Sequence, residues 1–405
     1  MLTAGEKMQW RYRLNKRKII FVTHRYPPSV GGMQKQSFEL IEGISRELPS
    51  EKIVWHNSLT VAFFLLWGIK RRLKKIVEQN DIALVHLNDG LLVLALDSIK
   101  KVTSAPVLCT LHGLDVVFPS KFYQKRFVQN ASGLNRIISV SEATKSECIQ
   151  RGIPGDKINV IPNGVDKDKV PERKKPFFIN KLEMILKISL EGKIILLSVG
   201  RPVRRKGISW FMKNVMPRLK ENIIYITVGA SLKKDRFVRF LLKALPKRVR
   251  ELIALMFGIG LDEPHQLKLS HCEKLKNRVF VLGKVNYEDL IQLYKHAHLF
   301  IMPNIPVEGD MEGFGITALE AAVNGAVVLA SDLEGIRDPI KNGINGFLLE
   351  PENADAWIEK IESLLSNRQR LVKIAEDFKL YSLKNFGWDR MTAEYKKLFS
   401  FYLAQ

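Results

Sequence analysis

Short β-branched runs alternate with longer helical patterns along the whole chain, and this alternation restricts the fold more than any other feature. Strands that alternate with helices in this way form parallel sheets with crossover helices. The first series of predicted strands is Lys18–Thr23, Ile82–Leu87, Pro106–Thr110, Arg136–Val140 and Ile158–Ile161. The second series is Lys193–Val199, Ile223–Val228, Arg278–Leu282, His298–Met302, Ala326–Ala330 and Gly346–Leu349. We therefore predict an α/β protein with two Rossmann-like, doubly wound parallel sheets.

The length of 405 residues exceeds one ordinary core and suits two domains of this kind. The predicted domains are residues 18–165 and 191–387, separated by a Lys- and Pro-rich stretch at 166–190 that we interpret as a linker. The chain closes on a helical pattern from Trp388 to Tyr402. Doubly wound sheets bind ligands beyond the carboxyl ends of their strands, so we expect the chemistry in those loops, in a cleft between the domains.

The chain is strongly basic, with 64 Lys and Arg residues against 42 Asp and Glu residues and a formal net charge of +22. Such a field attracts phosphates, whether of nucleic acid, anionic lipid or a phosphorylated substrate, and charge alone does not choose among them. The scattered cysteines Cys109, Cys148 and Cys272 favour a reducing cytosol over a disulfide framework or a zinc site. No secretory signal is recognised, and no apolar run approaches the roughly 20 residues that span a bilayer. We expect a soluble or peripheral cytoplasmic protein.

The strongest candidate site is the sequence Glu-Gly-Phe-Gly-Ile-Thr-Ala-Leu-Glu from Glu312 to Glu320, which follows a predicted strand. Its glycines let the backbone approach a ligand closely. A helix that begins near Gly315 offers free N–H groups and a partial positive charge to a diphosphate. The two carboxylates are spaced as a sugar and a ribose are across a pyrophosphate. Taken alone, an ordinary loop and helix with an acidic residue near its N-terminus would explain the same residues.

A second candidate loop follows the strand Lys193–Val199. It begins with Gly200 and Arg201 and ends with Lys206 and Gly207. A guanidinium and an ammonium at the carboxyl end of a strand suit the two phosphates of a nucleotide diphosphate. The alternative is a solvated basic loop. The two glycines and the position after a strand argue against this alternative.

With four further motifs, these loops resemble glycosyltransferase family 4 over nearly the whole chain. Each motif is weak alone, whereas six in the family's order are specific. They are PPSVGG at 27–32, TLHGLD at 110–115, IPNGVD at 161–166, the loop 200–207, the motif 312–320 and SDLEGIRDPIKNGINGFLLEP at 331–351. The resemblance implies the GT-B fold, two Rossmann-like domains facing an interdomain cleft. It also implies a retaining transferase that uses a nucleotide-diphosphate sugar and a glycan or lipid-linked glycan acceptor, as in surface polysaccharide or glycolipid synthesis.

The resemblance implies a role for each candidate residue. Glu320 is expected to hold the ribose hydroxyls and Glu312 the sugar ring. Arg201 and Lys206 would neutralise the leaving diphosphate, and His112 would lie beside the sugar, although a structural histidine would explain His112 as well. The backbone is expected to approach the donor phosphate and the acceptor at Gly31 and Gly32. The amides of Phe314 and Gly315 would contact sugar hydroxyls, and those of Ile316 and Thr317 the phosphates. Gly200 is also expected to bind the donor, and Gly283 to Val285 would frame its base. The closing helix, 388–405, would return to the first domain and pack through Trp388 and Tyr395.

The expected chemistry needs no metal ion, since no Asp-x-Asp-like cluster follows a strand in the expected place, and no cofactor beyond a UDP- or GDP-sugar as co-substrate. By resemblance, the acceptor hydroxyl attacks from the face that the leaving group vacates, and its proton passes to a donor phosphate oxygen. Two positions depart from the family: Val327 replaces a proline and Glu334 a second glycine. The departure at Glu334 lies near the sugar end of the donor and leaves the identity of the sugar open.

Two basic segments could meet an anionic membrane. One is 58–76, an apolar stretch that leads into five cations, and the other is 233–250, where Lys and Arg recur at helical spacing. Amphipathic basic helices with aromatic residues commonly lie in membrane interfaces. The alternative is a core-facing helix with a solvated basic side. The membrane interpretation would favour a lipid-linked acceptor such as a lipopolysaccharide core, an undecaprenyl-linked glycan or a glycolipid.

Two other functions compete with a transferase. A sugar-nucleotide epimerase or another enzyme of the same fold would share most of these motifs. A non-enzymatic nucleic-acid binder would use the positive charge, but it gives no reason for the paired glutamates, so we expect no nucleic-acid partner.

Overall fold

The computed structural model describes residues 17–56, 60–166, 176–229, 245–257 and 259–404. The chain divides into two compact units, each built on a six-stranded parallel sheet. The first unit takes the chain up to Gly164 together with Phe386 onward, and the second runs from Val165 to Asn385.

The sheet of the first unit has the strand order β2-β1-β3-β4-β5-β6. The chain changes direction across the sheet between β1 and β3, so the loops after these strands lie at its topological switch point. The strands are β1 Arg17–Thr23, β2 Ser50–Val54, β3 Asp81–Leu87, β4 Val107–Leu111, β5 Arg136–Ser139 and β6 Ile158–Val160. The α-helices are α1 Gly32–Ser45, α2 Val61–Phe63, α3 Ile69–Val77, α4 Leu96–Lys100, α5 Leu114–Val117, α6 Lys121–Ser132 and α7 Glu142–Gln150.

The sheet of the second unit has the order β12-β11-β10-β7-β8-β9, which is the strand order of Rossmann folds. Its switch point lies between β7 and β10. The strands are β7 Ile194–Val199, β8 Ile223–Val228, β9 Val279–Gly283, β10 Leu299–Met302, β11 Val327–Ser331 and β12 Phe347–Leu349. The α-helices are α8 Pro176–Leu186, α9 Ile208–Asn214, α10 Lys247–Phe257, α11 Glu263–Ser270, α12 Tyr287–His296, α13 Ile316–Val323, α14 Ala354–Leu365 and α15 Arg368–Asn385.

Both faces of the second sheet are covered. In β10, Leu299 and Ile301 pack into one apolar cluster with Trp357 of α14. The alternate residues Phe300 and Met302 pack into the other cluster, which includes Ala318 of α13. A parallel sheet that is buried on both faces reads as a continuous apolar run, which is why these strands could be recognised in the sequence.

The eleven predicted strands are confirmed, with ends displaced by at most one residue, and among the described residues one further strand was missed. The missed strand, β2 Ser50–Val54, lies at the edge of the first sheet. Only Ile53 of this strand is buried, and the strand also contains the charged residues Glu51 and Lys52. Edge strands tolerate charged residues, so the sequence pattern of β2 is that of a loop.

The predicted linker at 166–190 is wrong from Pro176 onward. Pro176–Leu186 forms α8, and Phe178 and Leu182 of this helix are buried in the core of the second unit. Residues 167–175 lie outside the described residues. So do residues 233–244 of the second predicted basic segment, and the described helix α10 begins only at Lys247.

The closing helix, α16 Trp388–Leu403, belongs to the first unit and packs on α1. Its Tyr395 hydroxyl is buried at 2.8 Å from the Thr110 hydroxyl of β4, and it accepts a hydrogen bond from the Gln36 amide of α1 at 3.4 Å. Thr110 in turn lies 3.0 Å from Nε2 of His86. This buried polar chain therefore ties the end of the chain to the first sheet. Among the described helices, none combines the length and the apolarity that crossing a membrane requires.

We expect Tyr395→Phe to lower the free energy of unfolding by roughly 1–3 kcal/mol, because the buried polar groups of Thr110 and Gln36 lose a partner. Urea denaturation followed by circular dichroism measures the change. Phe401→Ala, at an exposed position of the same helix, is the control and should change the stability by less than about 0.5 kcal/mol. Unchanged stability in Tyr395→Phe would contradict the role assigned to this hydroxyl.

Candidate active site

The loops after β7 and β10 carry most of the candidate residues of the second unit, and they lie at its switch point. Gly207 allows the two loops to pack against each other. Its φ is 64°, and a Cβ at this position would lie 1.7 Å from the carbonyl oxygen of Pro303. The N–H of Ile305 also donates to the carbonyl of Arg205 at 2.9 Å. The fold thus brings the predicted loop 200–207 beside the segment that leads to Glu312.

The N-terminus of α13 presents a set of hydrogen-bond donors. Gly315 precedes the helix with a φ of 83°, and no side chain caps the first turn. The hydroxyl of Thr317 is buried without a hydrogen-bond partner among the described residues. Ile316 and Thr317 lie in this first turn, and the buried Phe314 lies just before it. An uncapped helix N-terminus with an unpaired hydroxyl suits an anion such as a phosphate.

Glu312 is held firmly in the loop before α13. Its Oε2 accepts hydrogen bonds from the Arg205 guanidinium, from Lys206 Nζ at 2.5 Å and from Asn304 Nδ2 at 3.3 Å. Burial opposes ionisation of Glu312, but the positive charges of Arg205 and Lys206 outweigh it and hold the pKa of this carboxyl below its usual value. Glu312 is therefore a carboxylate whose position is set before any ligand binds.

Arg205 was missed in the sequence, and it is the central cation of this cluster. Besides Glu312, its Nε donates to Asp310 Oδ1 at 2.9 Å, and both side chains are buried. Arg201 and Arg204 of the same loop are exposed. The composition of the loop showed several cations but not which of them points inward. Lys206, predicted as a partner of the diphosphate, is already paired with Glu312.

Glu320 lies within α13, and its Oε2 accepts a hydrogen bond from the buried Tyr294 hydroxyl of α12 at 3.0 Å.

Three strands, β7, β8 and β9, end close together on the same edge of the sheet. A Cβ on Gly229, after β8, would lie 2.0 Å from the carbonyl oxygen of Gly200, after β7. The Gly229 N–H donates to the carbonyl of Gly283, at the end of β9, at 2.9 Å. Gly200, Gly283 and the nearby Val285 therefore share the edge that carries the cationic loop.

Glu334, the departure from the family pattern, contacts the loop that carries Glu312 directly. Its φ is 49°, in the left-handed region that favours glycine. Its Oε2 accepts a hydrogen bond from the backbone N–H of Glu312 at 2.6 Å. Burial raises the pKa of the Glu334 carboxyl from about 4.5 to about 7, although the Glu312 N–H and the charge of Arg205 oppose the increase. A side chain that the family pattern lacks thus fixes the backbone of Glu312.

The first unit holds a second polar cluster at the carboxyl ends of its strands. His112, after β4, places Nε2 2.8 Å from the carbonyl of Asn88, after β3. Because a carbonyl only accepts, Nε2 of His112 carries a proton. The backbone N–H of His112 donates to Asp115 Oδ1 at 2.9 Å, which fixes the loop.

The polar cluster around His112 also contains a buried pair that was not predicted from the sequence. His24, after β1, lies 2.9 Å from Asp89, after β3. Burial disfavours the charged form of Asp89, but His24 outweighs this effect and lowers its pKa. The two residues are 65 positions apart, and only the pairing of β1 with β3 brings them together. Gly31 and Gly32 are exposed at the N-terminus of α1, beyond the same end of β1.

The raised pKa of Glu334 predicts a pH dependence of stability. A carboxyl whose pKa rises on folding stabilises the protein below its unfolded pKa, and this contribution is lost as the pH rises through its folded pKa. For Glu334 the window runs from about 4.5 to about 7. Between about pH 5 and 8, the unsubstituted protein should lose about 1–2 kcal/mol of unfolding free energy relative to Glu334→Gln. Urea denaturation at several pH values tests this, and parallel profiles for the two proteins would refute it.

Comparisons with known proteins agree with this architecture. Residues 13–169 match the family Glycosyltransferase Family 4, and residues 183–381 match the family Glycosyl transferases group 1. A protein of Methanocaldococcus jannaschii described as an uncharacterized glycosyltransferase is 24% identical over 93% of this chain and 96% of its own length. The GDP-mannose-dependent alpha-(1-6)-phosphatidylinositol monomannoside mannosyltransferase of Mycobacterium tuberculosis is 21% identical over the same shares.

Among solved structures, Anabaena Alr3699/HepE in complex with UDP and glucose is similar to this chain with a TM-score of 0.70 and 18% identity, over 94% of this chain and 99% of that chain. This likeness concerns the fold. The two family matches together extend over most of the chain and include both switch-point loops of the second unit. The chain belongs to the family 4 glycosyltransferases and has the GT-B fold.

Proposed function

We propose that this glycosyltransferase acts in the cytoplasm as a retaining, metal-independent hexosyltransferase. Its donor would be a UDP- or GDP-sugar and its acceptor a glycan or lipid-linked glycan of bacterial-type surface polysaccharide or glycolipid synthesis. One observation carries the proposal: the uncapped N-terminus of α13, with its unpaired Thr317 hydroxyl, directly follows the fixed carboxylate of Glu312. The relative from Mycobacterium tuberculosis is GDP-mannose-dependent, and the Anabaena structure holds UDP and glucose, which supports both bases as candidates.

The donor would bind along α13. The N–H groups of Ile316 and Thr317, with the Thr317 hydroxyl, would hold phosphate oxygens, where the helix dipole favours negative charge. Glu320, further along the helix, would accept hydrogen bonds from the ribose hydroxyls while Tyr294 keeps its carboxylate oriented. Glu312, before the helix, would bind the sugar hydroxyls. Glu320, the first turn of α13 and Glu312 would thus contact the ribose, the diphosphate and the sugar, in the order in which these groups are joined in the donor.

The leaving diphosphate would be stabilised by fixed positive charge. Lys206 donates one hydrogen bond to Glu312, and an ammonium carries three N–H groups, so it can bind a phosphate oxygen at the same time. Arg201 begins the same loop and would supply a second cation. Because these charges are positioned before the reaction, they stabilise the transition state without reorganisation, and loss of one typically costs about 100- to 1,000-fold in rate.

Retention would proceed without a covalent intermediate on Glu312. The C1–phosphate bond breaks, the acceptor oxygen bonds to C1 from the same face, and the acceptor proton passes to a phosphate oxygen of the donor. Glu312 is a poor nucleophile, because its Oε2 already accepts hydrogen bonds from Arg205, Lys206 and Asn304. His112 would lie beside the sugar. A trapped glycosyl adduct on Glu312 would overturn this mechanism.

Two substitutions in α13 and its preceding loop separate donor binding from transfer. We expect Glu320→Ala to abolish the increase in melting temperature that UDP or GDP produces, because the ribose contact is lost. Glu312→Gln should retain this increase and lose transfer, because the neutral amide keeps the shape of the side chain but not its charge. A thermal-shift series with UDP, GDP, ADP and their common sugars, together with product analysis, makes both measurements.

The control for these variants is Glu359→Ala, which removes an exposed carboxylate of α14 in the same unit. It should keep both the nucleotide response and the activity. A full nucleotide response in Glu320→Ala would overturn the proposed donor orientation. An epimerised nucleotide sugar as the only product would overturn the proposed transfer.

Metal independence is tested directly with a chelator. Because Lys206, Arg201 and the α13 dipole would supply the positive charge at the diphosphate, we expect EDTA to leave the transfer rate within about twofold of its original value. Activity is measured after EDTA treatment and again after addition of Mg²⁺ or Mn²⁺. A loss of activity that either ion restores would contradict the proposal.

A further inference from the structure

A helical segment of the first unit exposes a combined apolar and basic surface. It consists of α2, a π-helical turn at Phe64–Gly68, and α3. One side faces the core: Phe64, Ile69 and Leu73 are buried. The other side exposes Phe63, Leu66 and Trp67 with relative exposures of 58%, 67% and 67%. The segment therefore packs into the domain and still leaves three large apolar side chains in solvent.

The exposed side continues directly into cations. Lys70, Arg71 and Lys75 are exposed. Lys70 and Arg71 follow Leu66 and Trp67 at intervals of three to five residues, and Lys75 follows Arg71 after four. Residues at such intervals lie near one another on a helix surface. Two further cations have partners within the unit: Arg72 donates to the Val54 carbonyl at 2.8 Å, and Lys74 lies 3.9 Å from Glu78. We refer to Phe63, Leu66, Trp67, Lys70, Arg71 and Lys75 as the apolar–basic face.

The helical segment that carries the apolar–basic face is anchored by contacts on its opposite side. The Trp55 ring stacks on the buried Phe64 with centroids 5.1 Å apart, and the Arg72 guanidinium lies 5.1 Å from the centre of the Trp55 ring. The exposed side chains are thus carried by a helix whose other side is anchored in the core. Single apolar residues are common on protein surfaces, whereas neighbouring large ones mark an interaction site.

We propose that the apolar–basic face docks this enzyme on an anionic bilayer surface. Phe63, Leu66 and Trp67 would enter the boundary between headgroups and acyl chains, where aromatic residues are favoured. Lys70, Arg71 and Lys75 would meet the negatively charged headgroups. The proposal goes beyond the transfer reaction and does not depend on the identity of the donor.

Charge favours this occupant over a protein. Lysine is depleted at the centres of protein interfaces. A second copy of the chain related by a two-fold axis would bring the same cations of both copies together, and like charges repel. An anionic lipid surface instead satisfies the apolar and the basic part of the face together.

Vesicle binding by the full-length protein tests the proposal. The protein is sedimented with vesicles of phosphatidylcholine alone and with vesicles of phosphatidylcholine and phosphatidylglycerol in equal amounts. We expect binding to the anionic vesicles to be much stronger. Lys70→Gln/Arg71→Gln/Lys75→Gln should weaken it roughly 100-fold, since each basic residue near an anionic surface contributes about fivefold. Leu66→Ser/Trp67→Ser should weaken it about tenfold or more, because the apolar contact is lost.

A matched control separates this face from general positive charge. Lys121→Gln/Lys125→Gln/Arg126→Gln removes three exposed cations from α6 of the same unit and should bind the anionic vesicles nearly as well as the unsubstituted protein. Equal loss in the control and the face variants would overturn the proposal, as would equal binding to neutral and anionic vesicles.

Two further measurements distinguish the remaining outcomes. Sedimentation velocity without vesicles tests for an interface between copies of the chain. We expect the apolar–basic face to mediate no self-association. Self-association that Leu66→Ser/Trp67→Ser abolishes, together with a lack of vesicle binding, would make the face an interface between copies and overturn the proposal. The stabilisation by UDP or GDP should be the same in the face variants as in the unsubstituted protein. Failure of vesicle binding with intact nucleotide stabilisation would refute the membrane surface and leave the proposed transferase reaction untouched.

Discussion

The buried cluster of charges at the switch point of the second unit organises the structure around it. Arg205 pairs with both Asp310 and Glu312, and Lys206 pairs with Glu312. Removal of one partner would leave an uncompensated buried charge, which is strongly unfavourable. The cluster therefore joins the loop after β7 to the loop after β10 and holds both in one arrangement. The first turn of α13, with its open N–H groups, follows directly from the second loop.

The cluster also changes the electrostatic interpretation of the site. Two cations face two carboxylates, so the cluster has little net charge to offer a diphosphate. Attraction would come chiefly from the α13 N-terminus and Arg201, and Lys206 would be shared between Glu312 and the leaving group. Glu334 adds a third carboxyl, and burial raises its pKa to about 7, so near neutral pH it is partly uncharged. Its contact with the Glu312 N–H shows how a position that departs from the family pattern acts on the motif at 312–320.

Both units place polar residues at the topological switch point of their sheet, but the residue types differ. In each sheet, polar residues lie in the loops where the strand order reverses. The first unit places His24 and Asp89 there, with His112 in the neighbouring loop after β4. The second places cations and a helix N-terminus. The exposed apolar residues of α2 and the π-helical turn lie outside both sets, and the proposed role for them is surface contact with a membrane.

The strands and the main motifs were readable from the sequence because they depend on local patterns. Buried parallel strands are continuous apolar runs, and the spacing of Glu312 and Glu320 is set by one loop and one helix. The edge strand β2 and helix α8 escaped prediction, since charged or Pro- and Lys-rich surroundings hid them. Tertiary structure alone decided that Arg205 points inward, that Lys206 pairs with Glu312 and that His24 meets Asp89. These contacts join residues in loops that follow different strands, and only the packing of the sheet sets which side chains of a loop are buried.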